Sequence, residues 1–131
     1  MMAKKILVYW LPLLLWCSVI FFLSSIPHLK TNLGLWDLLL RKIAHMTEYA
    51  VLFLLSRRAL AATFPLWQAR TICLAAIAFS VLYAMSDEFH QSFVPGRGPS
   101  LIDVDIDTVG ALFGYLGYRL AAAGRQDVQN A

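Results

Sequence analysis

Charged side chains are scarce in this sequence, since Asp, Glu, Lys and Arg make up 15% of 131 residues and hydrophobic residues make up 60%. A typical soluble domain is nearer to about one quarter charged and about one half apolar. A soluble domain of this length could not bury so many apolar side chains in one core. The composition therefore argues against a soluble domain and indicates a single membrane domain over residues 1–131.

Cysteine is also rare, with only Cys17 and Cys73, and each lies inside an apolar run. Both are interpreted as buried thiols, and no cysteine pair or H-E-x-x-H spacing indicates a metal motif. Lysine and arginine exceed aspartate and glutamate by 11 to 8, a net charge of +3. Because the basic residues have a topological explanation, given below, this charge indicates no nucleic-acid partner.

Four apolar runs are long enough to cross the hydrocarbon core of a bilayer as helices. The predicted spans are approximately residues 6–24, 42–62, 70–86 and 104–123. The first run follows Lys4 and Lys5, as in a signal peptide, but no A-x-A-like cleavage site follows it, so we expect an uncleaved helix. The prediction is an all-α integral membrane bundle of four transmembrane helices.

The segments between these runs are rich in helix breakers. Turns or loops are predicted at Ser24–Pro27 with a continuation from 28 to 34, at Phe64–Pro65 and at Pro95–Pro99. Residues 35–40 are interpreted as a short interfacial turn, and the polar tail from 124 to 131 as frayed.

The distribution of basic residues predicts the orientation of the bundle. With four spans, seven of the eleven lysines and arginines share the side of both termini, namely Lys4, Lys5, Arg57, Arg58, Arg70, Arg119 and Arg125. Basic segments favour the cytoplasmic side, so both termini are predicted to be cytoplasmic. Seven of the eight acidic residues then lie near the outer side, which is predicted to have a distinct chemistry.

Polar residues interrupt the apolar pattern at three predicted helix ends on this extracytoplasmic side. Charged groups near lipid are costly, so they indicate function by default. The candidates are His45, Glu48, Asp87, Glu88 and His90 as catalytic groups, and Lys42, Gln91, Arg97, Asp103 and Asp107 as substrate-binding groups. In this interpretation Arg97 and Lys42 hold an anion. His45 with Glu48 forms one proton-transfer pair, and His90 with Asp87 forms a second.

Two other interpretations of these residues stay open. The charges could form a purely structural network, because buried charges are tolerated when they are paired and hydrogen-bonded. They could also bind a divalent metal, for which the candidate ligands are His45, Glu48, Asp87 and His90. No cofactor is assigned from the sequence.

Acidic and small residues share one face of the fourth helix, where Asp103, Asp107, Gly110, Gly114 and Gly117 recur at spacings of four and three. Gly110 and Gly114 form a small-xxx-small pattern that allows close helix approach. This face is predicted to turn inward and to carry its carboxylates with it. As an alternative, the same glycines contact a partner protein, and the chain acts as a non-enzymatic membrane adaptor.

These motifs, taken in order, resemble the VanZ-like family of small bacterial membrane proteins. The resemblance rests on Lys42-x-x-His45-x-x-Glu48-Tyr49-x-x-Leu52, Ser86-Asp87-Glu88-x-His90-Gln91, Pro95-x-Arg97 and Asp103-Val104-x-x-Asp107-x-x-Gly110, with Ser24-Ser25 after the first helix. It covers about residues 20–118. Asp107 departs from the family pattern, which often has asparagine there, and adds a negative charge.

The resemblance implies a four-helix protein of the bacterial inner membrane. The family's named member is linked to resistance to the glycopeptide teicoplanin, without chemical modification of the usual peptidoglycan target. Many members occur without a resistance cluster, so the more general implication is a role in cell-envelope lipid or glycan handling. The expected function is to bind or process an amphiphilic, lipid-linked or anionic envelope substrate, with an effect on glycopeptide susceptibility as a further expectation. Membrane lipid and a lipid-linked envelope precursor are the expected partners.

Overall fold

The computed structural model of the chain describes residue 4 and residues 6–27 and 34–129. Within these ranges it contains four α-helices and no strand, so the predicted all-α class is confirmed. The helices are α1 (Leu11–Ser24), which follows a π-helical turn at Ile6–Trp10, α2 (Leu35–Thr63), α3 (Ala69–Gln91) and α4 (Leu101–Gln129). The predicted loop between α1 and α2 lies mostly outside the described residues, at positions 28–33.

Two helices are longer than the sequence analysis predicted. Residues 35–40, expected as a separate interfacial turn, are the first turns of α2, where Arg41 forms an ion pair of 2.9 Å with Asp37 one turn earlier. The tail expected to be frayed continues α4 as far as Gln129. Arg125, Gln126 and Gln129, half of the residues from 124 to 129, have high helix propensity and favour its extension.

The predicted breakers do separate the helices. α1 ends at Ser24, just before the turn that contains Pro27. Phe64 closes α2, and its backbone N–H donates to the Leu60 carbonyl at 2.8 Å. Between α3 and α4, Gly96 has a φ of 78°, a left-handed conformation that glycine adopts without steric cost.

α2 is the central helix, and it contacts each of the other three. Its side chains Tyr49, Leu52 and Phe53 are fully buried. The start of α1 lies beside the end of α2, where the Trp10 indole donates to the Thr63 hydroxyl at 2.9 Å. α1 and α2 are therefore antiparallel.

α4 approaches α2 backbone to backbone at two glycines. A Cβ at position 110 would lie 2.7 Å from the Met46 Cα, and one at position 114 would lie 2.6 Å from the Ala50 carbonyl oxygen. The predicted inward face of α4 thus packs against α2 within this chain. Met46 and Ala50 of α2 lie against Gly110 and Gly114, and the expected contact of this face with a partner protein stays a prediction.

Two helices in the described part of the chain are long and apolar enough to cross a membrane, at Leu7–Ser24 and Ala69–Gln91. A core helix of a soluble protein or a signal sequence can meet this criterion as well. A soluble core helix would be mostly buried, whereas only 17% of Leu7–Ser24 and 28% of an apolar 18-residue window within Ala69–Gln91 are buried inside the protein. Their exposed apolar surface favours contact with lipid.

The close approach of α2 and α4 predicts a strong effect of small substitutions. We expect Gly114→Ala and Gly110→Ala each to destabilise the protein by about 1–3 kcal/mol, because backbone atoms must move to admit the new Cβ. Thermal unfolding of the detergent-purified protein, followed by circular dichroism, measures this.

Gly117→Ala is the matched control, because a Cβ there meets no atom within 4 Å. It should leave stability unchanged or raise it by up to about 1 kcal/mol through helix propensity. Equal unfolding temperatures for all three alanine variants would contradict the proposed backbone contact.

Candidate functional site

The polar candidates gather around the end of the bundle where α1 and α3 finish and α4 begins, and we call this region the polar end. It contains residues from the end of α1, the first half of α2, the end of α3 and the start of α4, namely Ser24, His45, Glu48, Asp87, Glu88, Gln91 and Asp107. Asp87, Glu88, Gln91 and Asp107 are all buried. Buried polar groups need partners, and those partners decide what each residue can do.

Asp87 is held by two neutral side chains. The Ser24 hydroxyl donates to its Oδ2 at 2.7 Å, and the Gln91 amide donates to the same oxygen at 3.1 Å. The amide also reaches the Ser24 hydroxyl oxygen at 3.3 Å. This buried triangle joins the end of α1 to the end of α3.

His90 turns toward α1. Its Nε2 lies 3.0 Å from the Ser25 hydroxyl, and its ring stacks on Phe21 with 4.2 Å between ring centroids. The predicted proton-transfer pair of His90 with Asp87 is therefore not formed.

His45 faces Asp107 across the contact between α2 and α4. Its Nδ1 lies 3.3 Å from Asp107 Oδ1, which is within ion-pair distance, although the two atoms are not aligned for a hydrogen bond. Asp107 is fully buried and His45 is partly exposed. The sequence analysis paired His45 with Glu48, but the charge partner of His45 in the structure is Asp107.

A cavity of about 200 Å³ lies beside His45, between the end of α1, α2 and the α3–α4 loop. The residues that line it are Leu23, Ser24, Arg41, Ala44, His45, Glu48 and Arg97. Within the described ranges, the Glu48 carboxylate forms neither a hydrogen bond nor an ion pair. Because it also lines the cavity, this carboxylate is open to a ligand.

Arg97 reaches the cavity from the α3–α4 loop. Its Nη1 donates to the Ser24 carbonyl at 2.8 Å and to the Leu23 carbonyl at 3.4 Å. These carbonyls lie at the C-terminus of α1, where a cation is favourable. Arg97 thus ties the loop to α1 while its guanidinium lines the cavity.

The predicted partner of Arg97 in holding an anion was Lys42, which does not line the cavity. Lys42 Nζ lies 3.4 Å from Asp103 Oδ1 in a half-exposed ion pair, a type of contact that contributes at most about 1 kcal/mol. Arg41 lines the cavity instead. The spacing of four between Arg41 and His45 could have identified it, because such residues share one helix face.

Glu88 has a structural partner. Its Oε2 accepts the backbone N–H of Ser100 at 2.8 Å, and the Ser100 hydroxyl accepts the backbone N–H of Asp103 at 3.3 Å. Together they satisfy free donors at the N-terminus of α4. Glu88 therefore supports α4, and nothing places it beside the cavity as a catalytic group.

A metal site at the predicted ligands is not formed. No group of three or more His, Cys, Asp or Glu side chains in the described part of the chain is placed to hold a metal ion. His45 and Glu48 line the cavity. Asp87 instead accepts a hydrogen bond from Ser24, and His90 stacks on Phe21. The four candidates are divided between different contacts.

The Asp87 triangle predicts that a single hydroxyl matters. We expect Ser24→Ala to destabilise the protein by about 1–3 kcal/mol, because a buried carboxylate loses its shortest hydrogen bond. Ser18→Ala on the same helix is the control, since Ser18 is exposed and donates only to the Leu14 carbonyl. Thermal unfolding in detergent compares the two, and a Ser24→Ala midpoint equal to that of the control would contradict the role of the triangle.

Comparison with known proteins adds the family. The VanZ/LLP1 family model matches residues 9–122 of the chain. Neither the curated proteins nor the solved structures gave a significant match. With the two apolar helices, this match indicates a membrane protein. The chain belongs to the VanZ/LLP1 family.

Proposed function

We propose that this protein binds or processes an amphiphilic, anionic substrate of the bacterial cell envelope in the cavity at the polar end. The observation that carries the proposal is the set of side chains around one small cavity: two arginines, an unpaired glutamate, and a histidine backed by a buried aspartate. These groups supply charge recognition and proton transfer at the same place.

His45 has the orientation of a general acid or base. Its Nδ1 is buried against Asp107, so Nε2 is the ring nitrogen available to the cavity. With the Asp107 carboxylate beside one ring nitrogen, the other nitrogen is left for proton transfer. Glu48, one helical turn further along α2, borders the same cavity and could take or give a second proton.

The two arginines favour an anionic headgroup. Arg41 is bound to Asp37, and Arg97 uses one nitrogen on the two α1 carbonyls. Each guanidinium carries five N–H donors, so donors remain for a phosphate or carboxylate. Leu23, at the wall of the cavity, continues into the exposed apolar surface of α1 and suits the lipid part of such a substrate.

The proposal includes a topology in which all four helices span the bacterial inner membrane, with both termini in the cytoplasm and the polar end outside. It is supported by the basic residues, which lie mainly at the opposite end of the bundle. There Arg57 stacks over the Tyr118 ring at 3.5 Å and Arg58 over the Tyr9 ring at 5.0 Å. Such contacts keep cations at the level of interfacial aromatic rings.

A second candidate function is a non-enzymatic membrane scaffold whose polar end is only a structural network. The Asp87 triangle and the Glu88 contact with Ser100 favour it, because one oxygen of each carboxylate is hydrogen-bonded within the chain. It does not account for the open Glu48 carboxylate.

The topology predicts opposite labelling of two loops. In a variant with Cys17→Ala and Cys73→Ala, single cysteines are placed at Gly98 and at Leu66, both exposed. A membrane-impermeant maleimide should label Gly98→Cys in intact spheroplasts and Leu66→Cys only after permeabilisation. The reverse pattern would overturn the orientation, and labelling of both in intact spheroplasts would show that α3 does not cross.

The cavity predicts binding of a lipid-linked phosphate. Polyprenyl phosphate is titrated onto the protein in nanodiscs of phosphatidylcholine. We expect Arg97→Gln to weaken binding about tenfold, because a charge-assisted hydrogen bond is lost. Arg125→Gln, an exposed arginine at the far end of α4, should bind as the unaltered protein does. No binding by the unaltered protein, or equal binding by both variants, contradicts the proposal.

The abundance of variants in the membrane distinguishes a functional site from a purely structural scaffold. Where expression changes teicoplanin susceptibility, His45→Ala and Glu48→Ala should abolish the change at unchanged abundance in the membrane. If these variants instead disappear from the membrane, the polar end serves structure alone.

A further inference from the structure

A groove of about 740 Å³ runs between α3 and α4 at the end of the bundle opposite the polar end. Volumes of about 300–1,000 Å³ are usual for sites that hold small molecules. The walls include two arginines, Arg70 near the start of α3 and Arg119 in the second half of α4, ten residues before Gln129. None of the described residues that line the groove is acidic.

The polarity of the groove changes along its length. Arg70 is the second residue of α3, Arg119 faces the same groove from α4, and Tyr115 lies one turn before Arg119. Ile77 and Leu112 then line the part nearest the middle of the bundle. Arg70 and Ile77 are seven residues apart, which is about 10 Å along a helix. Beyond Arg119 the lining continues with Ala122, Ala123 and Gln126, so the groove offers a charged part and an apolar part, as an amphiphile requires.

The arginines have no carboxylate partner in the described ranges. Arg119 Nη1 donates to the Tyr115 hydroxyl at 3.0 Å, and Arg70 is exposed. Arg57 adds a third positive charge nearby, because its guanidinium covers the Tyr118 ring at 3.5 Å. A phosphodiester would compensate these charges, and arginine binds phosphate oxygens through parallel N–H groups.

We propose that this groove is a specific site for an anionic phospholipid, with its phosphodiester between Arg70 and Arg119 and an acyl chain along Ile77 and Leu112. An inorganic phosphate would leave the apolar half of the groove unused, so the shape favours a lipid. The site is separate from the cavity at the polar end, since α3 has 23 residues and about 35 Å lies between its two ends.

The test uses the full chain in neutral detergent, and native mass spectrometry measures the lipid bound. Phosphatidylglycerol is compared with phosphatidylcholine that carries the same acyl chains. We expect clear preference for phosphatidylglycerol. Arg70→Gln and Arg119→Gln should each lower its binding about fivefold, because each basic group near an anionic lipid contributes about 1 kcal/mol. Arg125→Gln, on the same helix but outside the groove, should retain the preference.

The apolar half is tested by filling it. Leu74→Trp places a bulky ring in the groove, and Leu82→Trp places one on a similarly exposed position of α3 outside it. Only Leu74→Trp should lower phosphatidylglycerol binding. Equal binding of the two lipids, an equal loss with Arg125→Gln, or no loss with Leu74→Trp overturns the proposal. The test of the cavity measures polyprenyl phosphate binding and depends on Arg97, whereas the test of the groove depends on Arg70 and Arg119. Either proposal can therefore fail without the other.

Discussion

The close backbone contact between α2 and α4 is the constraint on which the polar end depends. Gly110 and Gly114 lie directly against Met46 and Ala50, where any side chain would collide with backbone. Asp107 is one turn before Gly110 on the same face, so the contact buries its carboxylate completely and brings it to His45. Helix approach through small residues thus determines which charged groups meet.

α1 and α3 are joined to this pair by hydrogen bonds as well as by apolar contact. The Trp16 indole donates to the Glu48 carbonyl at 2.9 Å, and the Tyr83 hydroxyl donates to the Cys17 carbonyl at 2.6 Å. With Asp87 bound to Ser24, these bonds place α1 beside both neighbours. Among the acids of the polar end, Asp87 and Glu88 use a carboxylate oxygen to connect elements of the fold, whereas Glu48 contributes only its backbone carbonyl and leaves its carboxylate unused.

Much of the helical framework could be predicted from the sequence, because breakers and apolar runs are local signals. The inward face of α4 was also predictable, since residues at spacings of three and four share a face. The pairings were not, because they depend on how each helix is rotated against its neighbours. Adjacent residues on a helix point about 100° apart. That difference separates Arg41, at the cavity, from Lys42, beside Asp103.

The length of α2 has a consequence for access. Arg41, at the cavity, is six residues from Leu35, so the helix extends about 9 Å beyond the cavity. The side chains on this extension include Leu35, Trp36 and Leu40, all strongly exposed and apolar. Such an apolar extension of the helix contacts lipid more favourably than water. In the proposed topology, a ligand with a fatty tail would therefore arrive sideways from the outer leaflet, without first leaving the bilayer.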